Sequence, residues 1–343
     1  MTDPLVSVIM PVRNEEAFIA RSLGAVLAQD YPAERIEILI VDGQSDDRTR
    51  EVIASLPGAE CVRTLTNPRR IQAVSMNVAL RQARGDIIVR VDGHTIIAPD
   101  YVRQCVRALA ESGAVNVGGR MEPHGLTPMG RAIAAAGASH FGVPTAFHVS
   151  DQPQYTDTVY MGAWPRAALL AVGAFDERLR INEDYELNYR LRQAGGRIYL
   201  TPAIRSTYFG RQTLRALARQ YFTYGAGRAN TLKLHPASLK PRQLVAPAFV
   251  AALLLGAALA PLSLAPRLAW MAVLAMYALA SASASAQVAR KAGWSLLPRL
   301  PLVFLTMHLA WGLGFWRGVI FGGDAARQGA TPTQLDTQTQ GGH

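Results

Sequence analysis

The sequence is poor in charge and in cysteine. Only 17% of its 343 residues are charged, and Cys61 and Cys105 are its two cysteines. Two cysteines cannot build a disulfide scaffold, and without a neighbouring Cys/His pattern they cannot build a zinc finger. Half of the residues are hydrophobic, which excludes an intrinsically disordered chain. The length and composition therefore predict one or two folded domains, each with a proper core.

Acidic residues are missing from one long stretch of the chain. No Asp or Glu occurs between Glu186 and Asp324, while eleven Arg or Lys residues fall between Arg190 and Arg242. A basic, acid-free block beside apolar segments is typical of a protein that faces an anionic membrane. Because neither an RNA-binding aromatic signature nor a helix-turn-helix spacing accompanies it, we expect no nucleic-acid partner.

Long uncharged runs gather near the carboxyl terminus, and they predict a membrane domain over residues 244–321 with two to three helices. Its predicted helices cover residues 244–264, 268–289 and 300–321. A helix needs about 20 apolar residues to cross the hydrocarbon core, so the first two are expected to span it. The third segment has a shorter uncharged stretch than the other two. We expect it to span as well, with a re-entrant or in-plane helix as the alternative.

Basic residues set the expected orientation of this membrane domain. Arg290, Lys291 and Arg299 follow the second run, and only Arg267 separates the first run from the second. The positive-inside rule therefore places the residues before the first run in the cytoplasm. The amino terminus lacks the basic start and apolar run of a signal peptide, which agrees with this placement. The Thr/Gln-rich tail over residues 322–343 is predicted to be disordered.

The residues before the membrane domain alternate between short β-branched runs and helical patterns. Helical spacing of apolar residues follows each run, as in the stretch from Glu15 to Leu27. Such alternation predicts an α/β domain with a mostly parallel sheet and helices on both faces, whose ligands bind beyond the carboxyl ends of the strands. The predicted strands are residues 5–10, 36–41, 61–65 and 86–91.

Polar residues gather at those carboxyl ends. Arg13-Asn14-Glu15, Asp42-Gly43 and Asp92-Gly93-His94 each follow a predicted strand. Any one of them alone would be interpreted as a turn or a helix cap. Three strands that deliver polar residues to one edge indicate a site. No G-x-G-x-x-G and no Walker lysine motif occurs, which disfavours the common dehydrogenases and ATPases.

Four segments occur in this order along the chain: Val8–Glu16, Ile40–Asp47, Gly85–His94 and Asn182–Gly195. Together they resemble the family 2 inverting glycosyltransferases of the GT-A fold, which use nucleotide-diphosphate sugars. The resemblance covers about residues 4–235 and implies a GT-A catalytic domain over residues 1–235. The Asp-Gly-His variant and the QYFTYGAGR segment look most like bacterial exopolysaccharide enzymes of the succinoglycan type.

The resemblance implies which residues bind the donor. Asp42 matches the family's acid that hydrogen-bonds the base, and Arg70 stands where the family often has a basic residue near the diphosphate. Glu15 matches an acid near the ribose, and Asp86 an acid near the base or ribose. The remaining nucleotide-sugar positions implied are Pro11, Val12, Arg13 and Asp92.

Asp92-Gly93-His94 matches the family's D-x-D element, which implies Asp92 and His94 as metal ligands and Mn²⁺ or Mg²⁺ as cofactor. A divalent cation would neutralise the diphosphate as it leaves. His94 departs from the usual acid. Since imidazole suits Mn²⁺ better than Mg²⁺, His94 favours Mn²⁺ if it ligates. The alternatives are that His94 binds phosphate or merely packs.

Glu183-Asp184 matches the family's E-D element at the start of a helix. An inverting transfer is a single displacement, in which the acceptor hydroxyl must lose a proton to a nearby carboxylate. The resemblance implies Asp184 as this base and Glu183 as the group that orients its neighbours. The alternative is that both acids merely favour the helix amino terminus electrostatically.

Acceptor or diphosphate contacts are implied at two further places. Trp164 is predicted either to stack on a sugar or to lie in the core. An amphipathic helix near 213–228 lacks the Arg-Trp pair of processive relatives, and it would equally suit an interfacial helix. The implied residues are Gly162, Trp164, Gln220, Tyr224 and Arg228.

These features together predict a multi-pass glycosyltransferase of the bacterial inner membrane, with its catalytic domain in the cytoplasm. The expected donor is a UDP-sugar, with glucose favoured by the resemblance, and the expected acceptor is a lipid-linked saccharide. Other polysaccharide-assembly enzymes are further candidate partners. One alternative is transfer to a polyprenyl monophosphate, a ceramide or a glycerolipid. The alternative from another class is a non-catalytic membrane scaffold that retains the nucleotide-sugar fold.

Overall fold

The computed structural model describes residues 3–142 and 145–322. The predicted disordered tail, from residue 323 onward, lies outside the described residues. Within them, nine strands form one sheet in the order β3-β2-β1-β4-β8-β6-β9-β5, with β7 paired to β9. The strands are β1 (Val6–Val12), β2 (Ile36–Asp42), β3 (Val62–Thr66), β4 (Ile87–Arg90), β5 (Thr95–Ile97), β6 (Asn116–His124), β7 (Gln154–Thr156), β8 (Tyr160–Pro165) and β9 (Ile198–Phe209).

Helices cover both faces of the sheet and then continue into an apolar carboxyl-terminal part. The described helices are α1 (Ile19–Leu27), α2 (Thr49–Ser55), α3 (Gln72–Gln82), α4 (Tyr101–Ser112), α5 (Pro128–Gly137), α6 (Ala146–Val149), α7 (Arg166–Ala171), α8 (Glu183–Gln193), α9 (Leu214–Leu234), α10 (Val245–Leu259), α11 (Leu264–Ala292) and α12 (Leu300–Phe321). The amphipathic helix predicted near 213–228 is therefore α9, which continues six residues further.

The first four strands lie where the sequence predicts them, and they pair in parallel. Their side chains alternate between two cores, as a period of two residues requires. Val8 and Met10 face the core shared with α1 and α4, whereas Ile9 and Leu39 face the core shared with α3, α7 and α8. Val12 pairs with Asp42, so β1 and β2 end at the same level.

The second half of the sheet differs from the predicted, mostly parallel arrangement. β8 lies antiparallel between β4 and β6, and β5 and β7 pair antiparallel with β9. The parallel prediction thus holds for β1 to β4 and for the pair β6–β9. Because β8 is antiparallel to β4, its first residue, Tyr160, lies near the level at which β4 ends.

Helices α9 and α12 pack side by side with their backbones very close. A Cβ atom on Gly225 would lie 2.0 Å from the carbonyl oxygen of Trp311, and one on Gly314 would lie 1.9 Å from that of Phe222. Only glycine permits this approach. Lys233, near the end of α9, donates to the carbonyl oxygen of Gly318 at 2.7 Å, so contact continues along both helices.

The three helices α10, α11 and α12 are long and apolar enough to cross a membrane, α10 being counted with the preceding turn from Pro241. The bounds of α10 and α11 differ from those predicted for the first two membrane helices. The first helix ends at Leu259, so a turn falls inside the predicted 244–264 segment. The second runs from Leu264 to Ala292 and is longer than predicted at both ends. Side chains around this turn are exposed, as shown by Leu262 at 74%.

Candidate active site

The strands β1, β2 and β4 bring their polar residues to one edge of the sheet, and the start of α8 meets that edge. Arg90, the last residue of β4, makes the connection. Its Nε donates to Oδ1 of Asp92 at 2.7 Å, and its Nη1 donates to Oε1 of Glu183 at 3.3 Å. One guanidinium therefore joins the residue of the predicted metal element to the predicted catalytic acids.

The Arg90 side chain is only 7% exposed. Burial alone would lower the pKa of Arg90, but the charges of Asp92 and Glu183 hold it above its usual range. Sequence reasoning missed this residue. Its signal is a charged side chain within the otherwise apolar IIVRV run, where an unpaired charge would be costly.

The two acids at the start of α8 occupy different surroundings. Glu183 is buried, and its burial together with the charge of Asp184 raises the pKa of Glu183 to about 7. Asp184 is half-buried, and its Oδ1 accepts the main-chain N–H of Tyr185 at 2.7 Å. The preceding Asn182 has a left-handed φ of 64°, which turns the chain sharply into the helix. Asp184 is therefore the more accessible acid of the pair.

His94, which follows β4, and Glu15, which follows β1, form a pair. The distance between Nδ1 of His94 and Oε1 of Glu15 is 2.8 Å. Burial lowers the pKa of His94, but the hydrogen bond and charge of Glu15 outweigh it and raise the pKa above its usual value. The ring of Tyr208 lies edge-on to His94. Sequence reasoning assigned Glu15 and His94 to different ligands and missed their contact.

The predicted nucleotide residues other than Asp86 reach the same edge. Pro11 and Val12 are buried at the end of β1, and Arg13 lies beside Gly43. Asp42 is fully buried, where its carboxylate accepts hydrogen bonds from Ser45 and Arg50.

Arg70 lies in the loop that follows β3. Its Nε donates to Oε1 of Gln44 at 2.9 Å, and Gln44 itself follows β2. The predicted diphosphate residue thus contacts Gln44, which follows the predicted base residue Asp42 by two positions. The pairing of Asp42 with Arg50 was not predicted, because nothing in the local pattern singles out that arginine.

The prediction for Asp86 is wrong. β1 and β4 run parallel with Val6 beside Ile87, so Asp86 lies beside Leu5 at the amino edge of the sheet. Its N–H donates to the carbonyl oxygen of Leu5 at 2.9 Å. Six residues of extended chain, at about 3.3 Å each, separate Asp86 from Asp92 by about 20 Å. An exposed acid at that edge cannot contact a nucleotide bound at the other.

The sugar-stacking interpretation of Trp164 is also corrected. The Trp164 ring is 1% exposed and packs edge-on against Phe175 in the core. Gly162 has a φ of +104°, and a Cβ atom there would lie 2.5 Å from the Trp164 ring. The Gly-x-Trp pattern therefore serves packing, with glycine making room for the buried indole.

Of the three predicted residues of α9, Arg228 contacts the residue that follows the acid pair. Gln220 donates to the Tyr224 hydroxyl at 2.8 Å. Arg228 is buried, with its guanidinium 4.1 Å from the ring centre of Tyr185, the residue after Asp184. It donates to the carbonyl oxygen of Ser238 at 2.6 Å. Burial away from any carboxylate contact among the described residues lowers the pKa of Arg228.

The donor atoms near Asp92 fit a divalent cation only in part. Among the described residues, no group of three or more His, Cys, Asp or Glu side chains is arranged to hold a metal. Asp92 accepts one hydrogen bond from Arg90 on each carboxylate oxygen, at 2.7 and 3.3 Å, which leaves a further lone pair on each. Asp92 and His94 therefore suit a site in which phosphate oxygens and water complete the shell.

Comparison with known proteins agrees with the geometry. The family model described as Glycosyl transferase family 2 matches residues 7–139. The succinoglycan biosynthesis protein ExoA of Rhizobium meliloti (strain 1021) is 32% identical over 332 residues, covering 91% of this chain and 94% of that protein.

A second relative comes from Methanococcus voltae. It is the dolichyl N-acetyl-alpha-D-glucosaminyl phosphate 3-beta-D-2,3-diacetamido-2,3-dideoxy-beta-D-glucuronosyltransferase, 26% identical over 65% of this chain and 72% of its own length.

Among solved structures, the mannosyltransferase PcManGT of Pyrobaculum calidifontis, in complex with GDP-Man and Mn²⁺, superposes with a TM-score of 0.60. It is 21% identical, with 93% of this chain and 88% of that chain covered. The likeness confirms the predicted GT-A fold, followed here by apolar helices that could span a membrane.

We predict that the thermal midpoint of Glu183→Gln, taken relative to wild type, is higher at pH 8 than at pH 5. Because the pKa of Glu183 is raised to about 7, its contribution to stability is present below the unfolded value of 4.5 and is lost as the pH rises towards 7. The measurement is the difference in thermal midpoint between variant and wild type in detergent at both pH values.

Asp46→Asn is the matched control, because Asp46 is an exposed carboxylate outside the Arg90 cluster. Its midpoint difference should be the same at pH 5 and pH 8. An equal difference at both pH values for Glu183→Gln would show that Glu183 is already ionised in the folded protein.

Proposed function

Since the chain belongs to glycosyltransferase family 2, we propose that it moves a sugar from a UDP-sugar to a lipid-linked saccharide with inversion at the anomeric carbon. The relative in succinoglycan biosynthesis supports an exopolysaccharide product, and glucose is the proposed sugar. The observation that carries the proposal is the Arg90 link, which holds Asp92 on the donor side against Glu183 beside Asp184.

Asp184 is the proposed base. It is the partly exposed acid of the pair, whereas Glu183 is buried. A catalytic base must be accessible to substrate, because the acceptor hydroxyl has to come within hydrogen-bond reach of the carboxylate. Asp184 then takes the hydroxyl proton as the oxygen attacks. Glu183 and Arg90 fix the start of α8, which keeps Asp184 in place.

A divalent cation belongs to the proposal as cofactor, with Asp92 and His94 as its protein ligands. Mn²⁺ accompanies GDP-Man in the mannosyltransferase that shares the fold, which supports this assignment. When bound, the cation would neutralise the charge that develops on the leaving diphosphate. The hydrogen bond from Arg90 holds the Asp92 carboxylate in place, and the hydrogen bond with Glu15 holds the His94 ring in place.

We further propose that α10 and α11 cross the cytoplasmic membrane while α12 lies along its inner surface. Helix α12 follows α9 along its length, with Gly314 against Phe222 and Gly318 against Ala226. Helix α9 carries Arg228, whose guanidinium lies over the ring of Tyr185, the residue after Asp184. If α12 crossed the bilayer, α9 would have to enter it as well.

The charges on α9 oppose such an entry. Arg215 and Arg219 are exposed on its first turns, and an arginine at the membrane centre costs at least about 2.5 kcal/mol. The exposed face of α12 is apolar apart from Arg317 near its end, with Leu302, Leu313 and Ile320 between 44% and 66% exposed. An apolar stripe on a helix that is held beside a basic helix suits the interface plane of a membrane.

Replacing Asp184 with Asn should lower kcat by about 10²-fold or more, because the base is lost. UDP binding, measured by calorimetry, should stay unchanged, since Asp184 contacts none of the predicted nucleotide residues. Asp46→Asn is the control for a lost surface carboxylate. Undiminished transfer by Asp184→Asn would exclude Asp184 as the base. A wild-type protein that binds UDP but transfers no sugar to any lipid would be a scaffold.

Metal removal should abolish transfer and weaken UDP binding together. With EDTA, we expect the UDP affinity of the wild-type protein to fall, because the diphosphate charge loses its counter-ion, and Mn²⁺ or Mg²⁺ to restore both properties. Asp92→Asn should show little further loss of UDP affinity in EDTA. Undiminished transfer in EDTA would refute the metal assignment.

A reporter fused after Gly322 should give a cytoplasmic signal, since α12 does not cross the membrane. A second reporter, inserted between Pro261 and Leu262 in the turn between α10 and α11, should give an outside signal. An outside signal at Gly322 would mean that α12 spans. A cytoplasmic signal at the turn would mean that the α10–α11 hairpin is re-entrant.

A further inference from the structure

The segment that joins α9 to α10 lies along one side of the helix α8, which begins with the two acids. This strap, residues 235–244, contains two short 3-10 turns, Pro236–Ser238 and Pro241–Leu244. The opposite side of α8 packs in the core through Leu187 and Leu191. The α8 residues that meet the strap, directly or through Asp157, recur at helical spacing and therefore share one side of the helix. They are Tyr185, Glu186, Tyr189 and Arg192.

Contacts with the strap continue from turn to turn along α8. The Nε2 atom of His235 lies 2.9 Å from Oε1 of the buried Glu186, and the His235 ring packs 5.0 Å from the ring of Tyr189, centre to centre. At the far end of α8, Asp157 pairs with Lys240 of the strap and lies 3.5 Å from Nη1 of Arg192. The strap is therefore fixed to the whole length of the helix.

Arg228 of α9 closes the strap over the first turn of α8. Its guanidinium lies 4.1 Å from the ring centre of Tyr185, an arrangement that attracts a cation to an aromatic face. Its Nη2 donates to the carbonyl oxygen of Ser238 at 2.6 Å and to Oε1 of Gln243 at 2.8 Å. Gln243 stands two positions before Val245, where α10 begins. One side chain thus joins the residue after Asp184 to the start of a membrane helix.

Helix α9 also packs directly against the turn that leads into α8. A Cβ atom on Gly227 would lie 3.0 Å from Nδ2 of Asn182 and 3.1 Å from Cγ2 of Ile181, so little free space separates them. Asn182 is the residue with the left-handed φ that precedes Glu183. The start of α8 is therefore held from two directions, by Arg90 on the side of the sheet and by α9 with its strap on the other.

We propose that Arg228 is a positioning residue for the base. By holding Tyr185 and the strap together, it fixes the first turn of α8, and with it Asp184, relative to the start of α10. This rests on the proposed function, in which Asp184 takes the proton. It replaces the implied contact of Arg228 with acceptor or diphosphate, because Arg228 is only 4% exposed and already donates within the protein.

The first test is a matched pair of variants at Tyr185, measured in the full-length protein in detergent micelles. The donor is the UDP-sugar that wild type uses, and the acceptor is a total bacterial lipid extract. Tyr185→Leu removes the ring beneath Arg228 and should lower kcat by about tenfold, since a small displacement of a reacting group is costly. Tyr185→Phe keeps the ring and should stay within about twofold of wild type. Neither variant should change the donor KM or the affinity for UDP.

The second test is a double-mutant cycle between Arg228 and Tyr185. Arg228→Gln should also lower kcat by about tenfold without a change in UDP affinity. Because both substitutions remove the same contact, the double variant Arg228→Gln/Tyr185→Leu should be no slower than the slower single variant. Rates are compared well below the thermal midpoint of each variant. The Tyr185 variants carry the test even where Arg228→Gln does not fold, because they leave Arg228 with its bonds to Ser238 and Gln243.

Arg215→Gln is the matched control, because Arg215 is an exposed cation in the first turn of α9, about 20 Å along the helix from Arg228. It should transfer sugar as wild type does. An equal loss in this control would assign the effect to the positive charge of α9 and overturn the inference.

Three further results would overturn it. Unchanged kcat in Tyr185→Leu would show that the ring contact does not position the base. Multiplying losses in the double variant would show that the two residues act independently. A fall in UDP affinity in Arg228→Gln would show that Arg228 contacts the diphosphate instead. Each of these results leaves wild-type transfer intact, whereas absence of wild-type transfer would refute the proposed function itself.

Discussion

The buried guanidinium of Arg90 is the interaction on which the rest of the site depends. A charge inside a protein is stable only where opposite charges and hydrogen bonds replace its water. Asp92 and Glu183 supply both, one from the end of a strand and one from the start of a helix. Loss of one partner from such a pair costs about 3–5 kcal/mol, so β4 and α8 are held together. The end of β4 and the start of α8 therefore keep one fixed arrangement.

The sequence predicts the parts of this molecule that depend on local pattern. Strands β1 to β4 and the acids at their carboxyl ends are each encoded within a few residues. The antiparallel insertion of β8 is not, because strand pairing over long range leaves no local period. Asp86 shows the same limit. The local sequence around an acid is similar whether the acid precedes or follows a strand, and only the direction of the strand in the folded sheet shows which edge the acid occupies. Arg90 was visible as a charge in an apolar run, but its two partners were not.

Hydropathy likewise finds apolar helices without telling what they pack against. The segment from Leu300 to Phe321 has the length of a membrane span, yet one side of it lies on α9. The close approach at Gly225 and Gly314 depends on glycines that a hydropathy average barely registers. Trp164 makes a similar point, since its Gly-x-Trp context suits a sugar platform and a buried indole equally well. Packing decides both cases, and packing is a property of the folded chain.

Confinement to a surface gives this arrangement its physical rationale. An enzyme and a lipid acceptor that share one membrane face meet at a much higher effective concentration than they would in solution. That gain is realised only if the reacting hydroxyl reaches the base while the lipid stays in the bilayer.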